Sequence, residues 1–214
     1  GSLKNVVILG PERPESQVEI SLTDAVALGL TPPVRLSGDT EGTPGLTLRP
    51  GDRVLLSGTI YTARDAAHKR FFELLDGGQP LPIPLEGAVI YYAGPTPGQQ
   101  GMAVGACGPT TSSRMNKFAP RLLDLGLGAI IGKGEMSAET AQAIVRNGAC
   151  YFAAVGGAGA LIAKCIKTAD VVAFDELGCE SVKRMTVKDL PLTVAIDSAG
   201  GNLYQSGREA YSRV

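Results

Sequence analysis

The chain has no tryptophan and a single histidine, His68, and aromatic residues make up only 5% of its 214 residues. A histidine-built metal centre is therefore excluded. The four cysteines, Cys107, Cys150, Cys165 and Cys179, form no Cys-x-x-Cys pair. That spacing argues against a zinc site or iron–sulfur cluster made by this chain alone, and the thiols read as reduced, in a reducing compartment. Charge of one sign is also missing. Twenty Lys and Arg stand against 21 Asp and Glu, with no long basic run, so nucleic acid and anionic membrane surfaces are poor partners. No apolar stretch approaches the ~20 residues that span a bilayer. The start, Gly1-Ser2-Leu3-Lys4, has no apolar signal core, and Gly1-Ser2 looks like an expression scar. A cytoplasmic location is expected.

What the chain does have is glycine, 28 residues of it, and 44% hydrophobic content. That describes a folded chain rich in tight turns and close backbone approaches. The expectation is one domain over residues 1–214, an α/β fold with a mixed sheet and no internal repeat. Val18–Leu22 alternates and reads as a strand, with turns over 31–52 and a short helix at 22–29. A strand is predicted at 53–60. The helix after it has Thr62 as N-cap, Asp65 at its third position, and Gly77-Gly78 as its stop. Residues 88–93 and 102–107 read as two strands paired antiparallel across Gly94-Pro-Thr-Pro-Gly98. A helix carries Phe118, Leu122, Leu123 and Leu125, and Pro120 makes it either start late, near Asn116, or kink. Further strands are predicted at 128–131, 150–155, 171–174, 182–187 and 192–196. Helices are predicted from Ser137 to about Arg146 and after Gly156.

The stretch Gly108-Pro109-Thr110-Thr111-Ser112-Ser113-Arg114-Met115 stands out. A hydroxyl-rich turn between strand and helix is a natural anion site, and the arginine adds a bidentate partner for a carboxylate or phosphate. The same pattern also suits a hydroxyl N-cap with a surface arginine. Two more cations occupy comparable places. Arg64 follows the strand at 53–60, and Lys133 follows the strand at 128–131 between Gly132 and Gly134. Ligands of open α/β sheets bind beyond the carboxyl ends of strands. Cations in a helix's first turn oppose its macrodipole, and an anionic ligand resolves that conflict. Three cations in one pocket suit a small dicarboxylate. Taken singly, Arg64 beside Asp65 and Lys133 in its loop also read as solvated charges.

His68 lies one helical turn after Arg64, as a packing residue or as a supporting group. Gly156-Gly-Ala-Gly159 matches neither a dinucleotide fingerprint nor a Walker loop, and reads as a tight, closely packed strand-to-helix turn. Asp175, Glu176 and Asp197 read as solvated or turn-forming acids.

The stretches Gly58-Thr-Ile-Tyr-Thr-Ala-Arg64-Asp-Ala-Ala-His68, Gly108–Met115, Gly132-Lys-Gly134 and Glu176-Leu-Gly178 resemble the β subunit of class I fumarate hydratases. The same region forms the C-terminal domain of the single-chain enzymes. The related L-tartrate dehydratase β subunit shares several of these motifs. The resemblance covers roughly residues 15–207, and the Asn202-Leu-Tyr tail sides with the fumarase form. It implies a swivelling β/β/α domain and a hydro-lyase active only with an α subunit in a hetero-oligomer. That partner would hold a [4Fe–4S] cluster on three cysteines, and this chain would bind no metal. By the same resemblance, Arg64, Arg114 and Lys133 hold the substrate carboxylates and Thr110 takes the C3 proton of malate. His68 and Thr111 are the candidates for supporting them. The alternatives are an L-tartrate dehydratase β subunit and a non-catalytic dicarboxylate-binding or assembly module.

Overall fold

The computed structural model describes residues 48–99 and 101–212, with short strands at 6–9, 18–19 and 34–35. The predicted helix at 22–29 and residues Gly1-Ser2 lie outside the described residues. In chain order the strands are β1 (Val6–Leu9), β2 (Val18–Glu19), β3 (Val34–Arg35), β4 (Arg53–Thr62), β5 (Val89–Tyr91), β6 (Ala129–Gly132), β7 (Cys150–Ala153), β8 (Ile166–Ala173) and β9 (Val182–Ile196). The helices are α1 (Asp65–Asp76), α2 (Ala119–Asp124), α3 (Ala138–Arg146), α4 (Gly159–Cys165) and α5 (Leu203–Tyr211). No described helix is long and apolar enough to cross a membrane.

The mixed sheet closes on itself. β4, β5, β6 and β7 run parallel, and β9 pairs antiparallel with both β7 and β4, which joins the ends into a barrel. The interior is filled by Val54, Leu56, Tyr91, Ile131, Phe152, Val187 and Val194. The alternate residues Ile90, Ile130 and Tyr151 face outward under Phe71 of α1, Leu122 and Leu123 of α2, and Ile144 of α3. Successive strand residues point to opposite faces. Strands buried on both faces therefore need continuous apolar runs, and β5 and β6 have them. At twelve residues α1 is near the length at which an isolated helix is marginal, roughly 12–15, so its buried Ala67, His68 and Phe71 hold it in place.

Several elements differ from expectation. Residues 182–187 and 192–196 are one strand, β9, with a break at Asp189 (φ 53°), whose N–H donates to Ser57 Oγ. One edge of β9 follows β4 from Arg184 to Thr193, while the other switches from β8 to β7 across that break. Pro191 stays in the strand opposite Leu55. The strand predicted at 171–174 begins at Ile166, and Phe174 lies past its end in a left-handed conformation.

Residues 102–107 are not a strand. They form the return of a loop closed by Thr96 N–H to Ala106 O and Gly105 N–H to Thr96 O, and the antiparallel contact moves to Ala93 and Pro109. Thr62 is not a helix cap but the last residue of β4. Its buried hydroxyl donates to Ser181 O and accepts from Lys183 N, which extends the strand against β9. Arg64 is the N-cap residue of α1 and Asp65 the first residue of the helix. The helix with Pro120 starts late, at Ala119, later than the predicted Asn116, with the proline in its first turn, where its missing N–H costs nothing.

Candidate active site at the carboxyl ends of the parallel strands

β4, β5, β6 and β7 all deliver their exits to one end of the barrel. Arg64 follows β4, Ala93-Gly94 follows β5, Lys133 follows β6 and Gly156 follows β7. The segment 109–112 threads between the exits of β5 and β6. Pro109 bridges Ala93, Thr110 N–H donates to Tyr92 O at 2.6 Å, Thr111 bridges Lys133, and Ser112 N–H donates to Lys133 O at 2.8 Å. A Cβ at Gly132 would collide with Ser112 Oγ. The glycine before Lys133 therefore makes room for the hydroxyl segment. Ser112 Oγ lies 2.9 Å from Tyr151 Oη, which donates to Gly134 O at 2.7 Å. The tyrosine has one proton, so Ser112 donates to it, and the segment is tied to β7.

Thr110 is held half-buried on this segment, and Thr111 beside it is exposed. The chain then makes a four-residue 3₁₀ turn, Ser112–Met115, and not the N-terminus of an α-helix. The macrodipole argument for an anion site at this turn therefore does not hold. The cation it carries, Arg114, is fixed another way. Its Nε donates to Asp65 Oδ1 at 2.9 Å, and its Nη2 forms an ion pair with Oδ2 at 2.9 Å. Asp65 is the neighbour of Arg64 in the chain, so two arginines 50 residues apart in sequence meet at the start of α1. Arg64 Nη2 in turn pairs with Glu180 Oε1 at 3.5 Å. Lys133 reaches the same end through the backbone of Thr111 and Ser112, and its side chain lies over Gly156.

His68 is fully buried under this group. Its Nδ1 lies 2.8 Å from Arg64 O, its ring stacks on Phe118, and Tyr92 meets it edge-on at 5.3 Å. Burial holds the imidazole down at about 4, although the Arg64 carbonyl and Asp65 pull the other way. It is neutral at pH 7, with the proton on Nδ1 donated to Arg64 O. Among the described residues the buried side-chain polar atoms without a hydrogen-bond partner are four: Arg64 Nε, His68 Nε2, Tyr92 Oη and Asp65 Oδ2, the last of which meets Arg114 only as an ion pair. All belong to the start of α1 and the exit of β5. Buried polar groups are almost always satisfied, so such a concentration marks a place built for something other than stability.

Glu180, Lys183 and Gly94 escaped sequence reasoning. Glu180 and Lys183 both follow the Glu176-Leu-Gly178 motif; only folding carries Glu180 to Arg64 and Lys183 to Thr62. Asp197 behaves as a turn-forming acid, accepting from Ala199 N and Gly201 N, and Glu176 pairs with Arg70 at the surface. The Gly156–Gly159 stretch is the expected tight turn. Gly159 O accepts from Cys107 N, and a Cβ at Gly159 would come within 3.1 Å of Gly108 N. No three His, Cys, Asp or Glu side chains among the described residues converge as metal ligands, and the four cysteines are all unpaired. The groups at this end of the barrel suit a small anion and do not fit an iron–sulfur cluster.

Residues 33–207 match the family model described as Fumarase C-terminus. A protein of Methanocaldococcus jannaschii assigned as L(+)-tartrate dehydratase subunit beta is 40% identical over 174 residues, 78% of this chain and 89% of the relative. Fumarate hydratase 2 of Leishmania major is 38% identical over 156 residues, and the aerobic class I fumarate hydratase of Escherichia coli 36% identical over 155. The matches take in 72% of this chain but only 28% of each of those two enzymes.

Proposed function

The chain belongs to the Fumarase C-terminus family, and from that membership we propose that it is the β subunit of a class I fumarate hydratase. With an iron–sulfur α subunit it interconverts fumarate and (S)-malate in the cytoplasm. The observation that carries this reading is that Arg64, Arg114 and Lys133 share one end of the barrel with the hydroxyl segment, and that the unpartnered buried polar atoms collect around Arg64.

In this reading Arg64, Arg114 and Lys133 hold the substrate carboxylates. Thr110 Oγ1 takes the C3 proton of malate as the C2 hydroxyl leaves; in hydration it returns that proton to C3. Removing a proton beside a carboxylate builds an aci-carboxylate dianion. Fixed cations stabilise that charge more than they stabilise the ground state, and this difference is what accelerates the reaction. The same cations make a threonine hydroxyl, otherwise a very weak base, more acidic and its oxyanion accessible. Thr111 and His68 support the cations, His68 through its bond to Arg64 O. A [4Fe–4S] cluster on the partner would supply Lewis-acid chemistry at the hydroxyl that leaves.

Anaerobic reconstitution with the partner, followed by assays on fumarate and L-tartrate, tests the proposal. The isolated chain is expected to be inactive and the two-subunit enzyme to hydrate fumarate. Turnover by this chain alone overturns it. Dehydration of L-tartrate in preference favours the second reading, a tartrate dehydratase β subunit, which the 89% coverage of the Methanocaldococcus relative keeps in play. Dicarboxylate binding with no turnover on either substrate favours a non-catalytic module.

A further inference from the structure

The Glu176-Leu177-Gly178 motif takes no part in the proposed chemistry, yet its backbone is built with care. Gly178 adopts φ 59° and ψ −116°, a conformation closed to residues with a Cβ. Ser181 Oγ donates to Gly178 O at 2.7 Å, and Lys183 Nζ donates to Gly178 O at 3.0 Å and to Ser181 Oγ at 2.6 Å. Thr62 at the end of β4 binds Ser181 O and Lys183 N. This turn is thus fastened to both strands that pair behind the site, and the side chain it delivers is Glu180. One carboxylate oxygen accepts from Ala66 N at 3.2 Å in the first turn of α1, and the other faces Arg64 Nη2 at 3.5 Å. On the guanidinium's other side lies Gly94, where a Cβ would stand 2.9 Å from Nη1 and 3.3 Å from Cys179 O.

We propose that Glu180 is a positioning residue for Arg64: its carboxylate, anchored on the Ala66 amide, orients the guanidinium so that the remaining N–H groups face the substrate. Arg64 Nε is buried without a partner, so the protein's own hydrogen bonds do not use up the guanidinium's donors. A planar fork loses less freedom per bond when it is already oriented, so binding gains from the brace. The inference rests on the reading of Arg64 as a substrate-binding residue.

Glu180→Gln is the decisive variant, because the amide oxygen can still cap Ala66 N while the charge facing Arg64 is gone. Two measurements apply. The first is solvent exchange of the Arg64 Nε–H by ¹⁵N NMR on this chain, assigned with Arg64→Lys. The second is steady-state kinetics of the two-subunit enzyme on fumarate. Glu180→Gln is expected to speed Arg64 Nε–H exchange and raise KM, each on the order of tenfold, the equivalent of one charge-assisted hydrogen bond, with kcat within about threefold. Glu180→Asp, which keeps the charge, is expected to recover part of both. Wild-type exchange and KM in Glu180→Gln, with only thermal stability lost in Glu180→Ala, would reduce Glu180 to a helix cap and overturn the proposal. If the wild-type pair fails to hydrate fumarate, the functional reading falls, while the exchange measurement still decides whether Glu180 orients Arg64.

Discussion

Two cations of the candidate site each lie over a glycine, and they are held in opposite ways. Arg64 is three-quarters buried, with 22% of its side chain exposed. It is flanked by Glu180 and packed so closely on Gly94 that a Cβ there would stand 2.9 Å from its Nη1. Its carbonyl is bound by His68 from below. Lys133 is exposed, its ammonium has no ion-pair partner among the described residues, and a Cβ on its glycine, Gly156, would meet its side chain only at ordinary contact distances of 3.6 and 4.0 Å. One cation is part of the framework and the other is a free arm on a fixed backbone. Under the proposed function, binding a two-headed anion beside a partner subunit can use both. A preorganised fork orients one carboxylate, and an arm settles on the ligand once it is bound.

The sharpest test lies between the two exits. Thr110→Ala is expected to lower kcat by on the order of 10²–10⁴ with little change in KM, since a general base acts only as the proton moves. Steady-state kinetics of the reconstituted enzyme, with cluster content checked, decides it. Near-normal kcat would mean that the segment between Arg64 and Lys133 only seats substrate.

The next test reads how firmly Arg64's side of the site is built in. His68 titrates at about 4 in the fold and at 6.5 unfolded. Between those values the unfolded chain binds more protons, so stability present at pH 7 is lost as pH falls from about 6.5 to 4. The loss amounts to about 3 kcal/mol. Denaturant melts across that range should show it, and His68→Phe should flatten the slope whatever its own stability. An equal slope in the variant would place the pH dependence elsewhere. The Asp124 carboxyl, held at about 2 by its hydrogen bonds from Arg146 and Asn147, acts in the same direction but only below its ordinary value of 3.8.

Removing each cation in turn separates framework from arm. Arg64→Met and Lys133→Met are each expected to cost roughly 1.5–3 kcal/mol in kcat/KM, the worth of a hydrogen bond to a charged group. Only the arginine variant should also lower Tm, because it leaves the Glu180 carboxylate without its ion-pair partner. Equal Tm losses would break the contrast. The smallest effects belong to the glycines. Gly94→Ala is expected to raise KM several-fold by pushing Arg64 aside, about 1 kcal/mol, and Gly156→Ala to leave KM unchanged. The reverse order would show that Lys133, and not Arg64, is the confined cation.

The sequence is most legible where an element's burial repeats along its own length. The strands expected at 88–93 and 128–131 form at Val89–Tyr91 and Ala129–Gly132, and the Ser137 cap with Thr140 N donating to its Oγ and the glycine-rich turn before α4 stand where composition and spacing put them. Arg64 and Lys133 are recognisable because each follows a strand, whereas Arg114, expected after a strand at 102–107, follows a loop instead. The errors fall where a partner distant in sequence decides. Thr62 has the residue type of a cap, but two hydrogen bonds from residues ~120 positions away keep it in a strand. Residues 102–107 look like a strand, but they have no open sheet edge to join once Pro109 has taken the place beside Ala93.

By itself the sequence determined the local alphabet of this protein: which runs are buried on both faces, where the chain turns, and that Arg64 and Lys133 sit at strand ends. Those features depend on neighbours within about one turn or one hairpin, where side-chain type and spacing suffice. The tertiary structure alone decided how the ends meet. It closed β4 on β9, set Asp65 against Arg114, and brought Glu180 to Arg64 across 116 positions. No local propensity encodes such pairings, because the entropy lost in closing such long loops is repaid only when the whole core is buried at once.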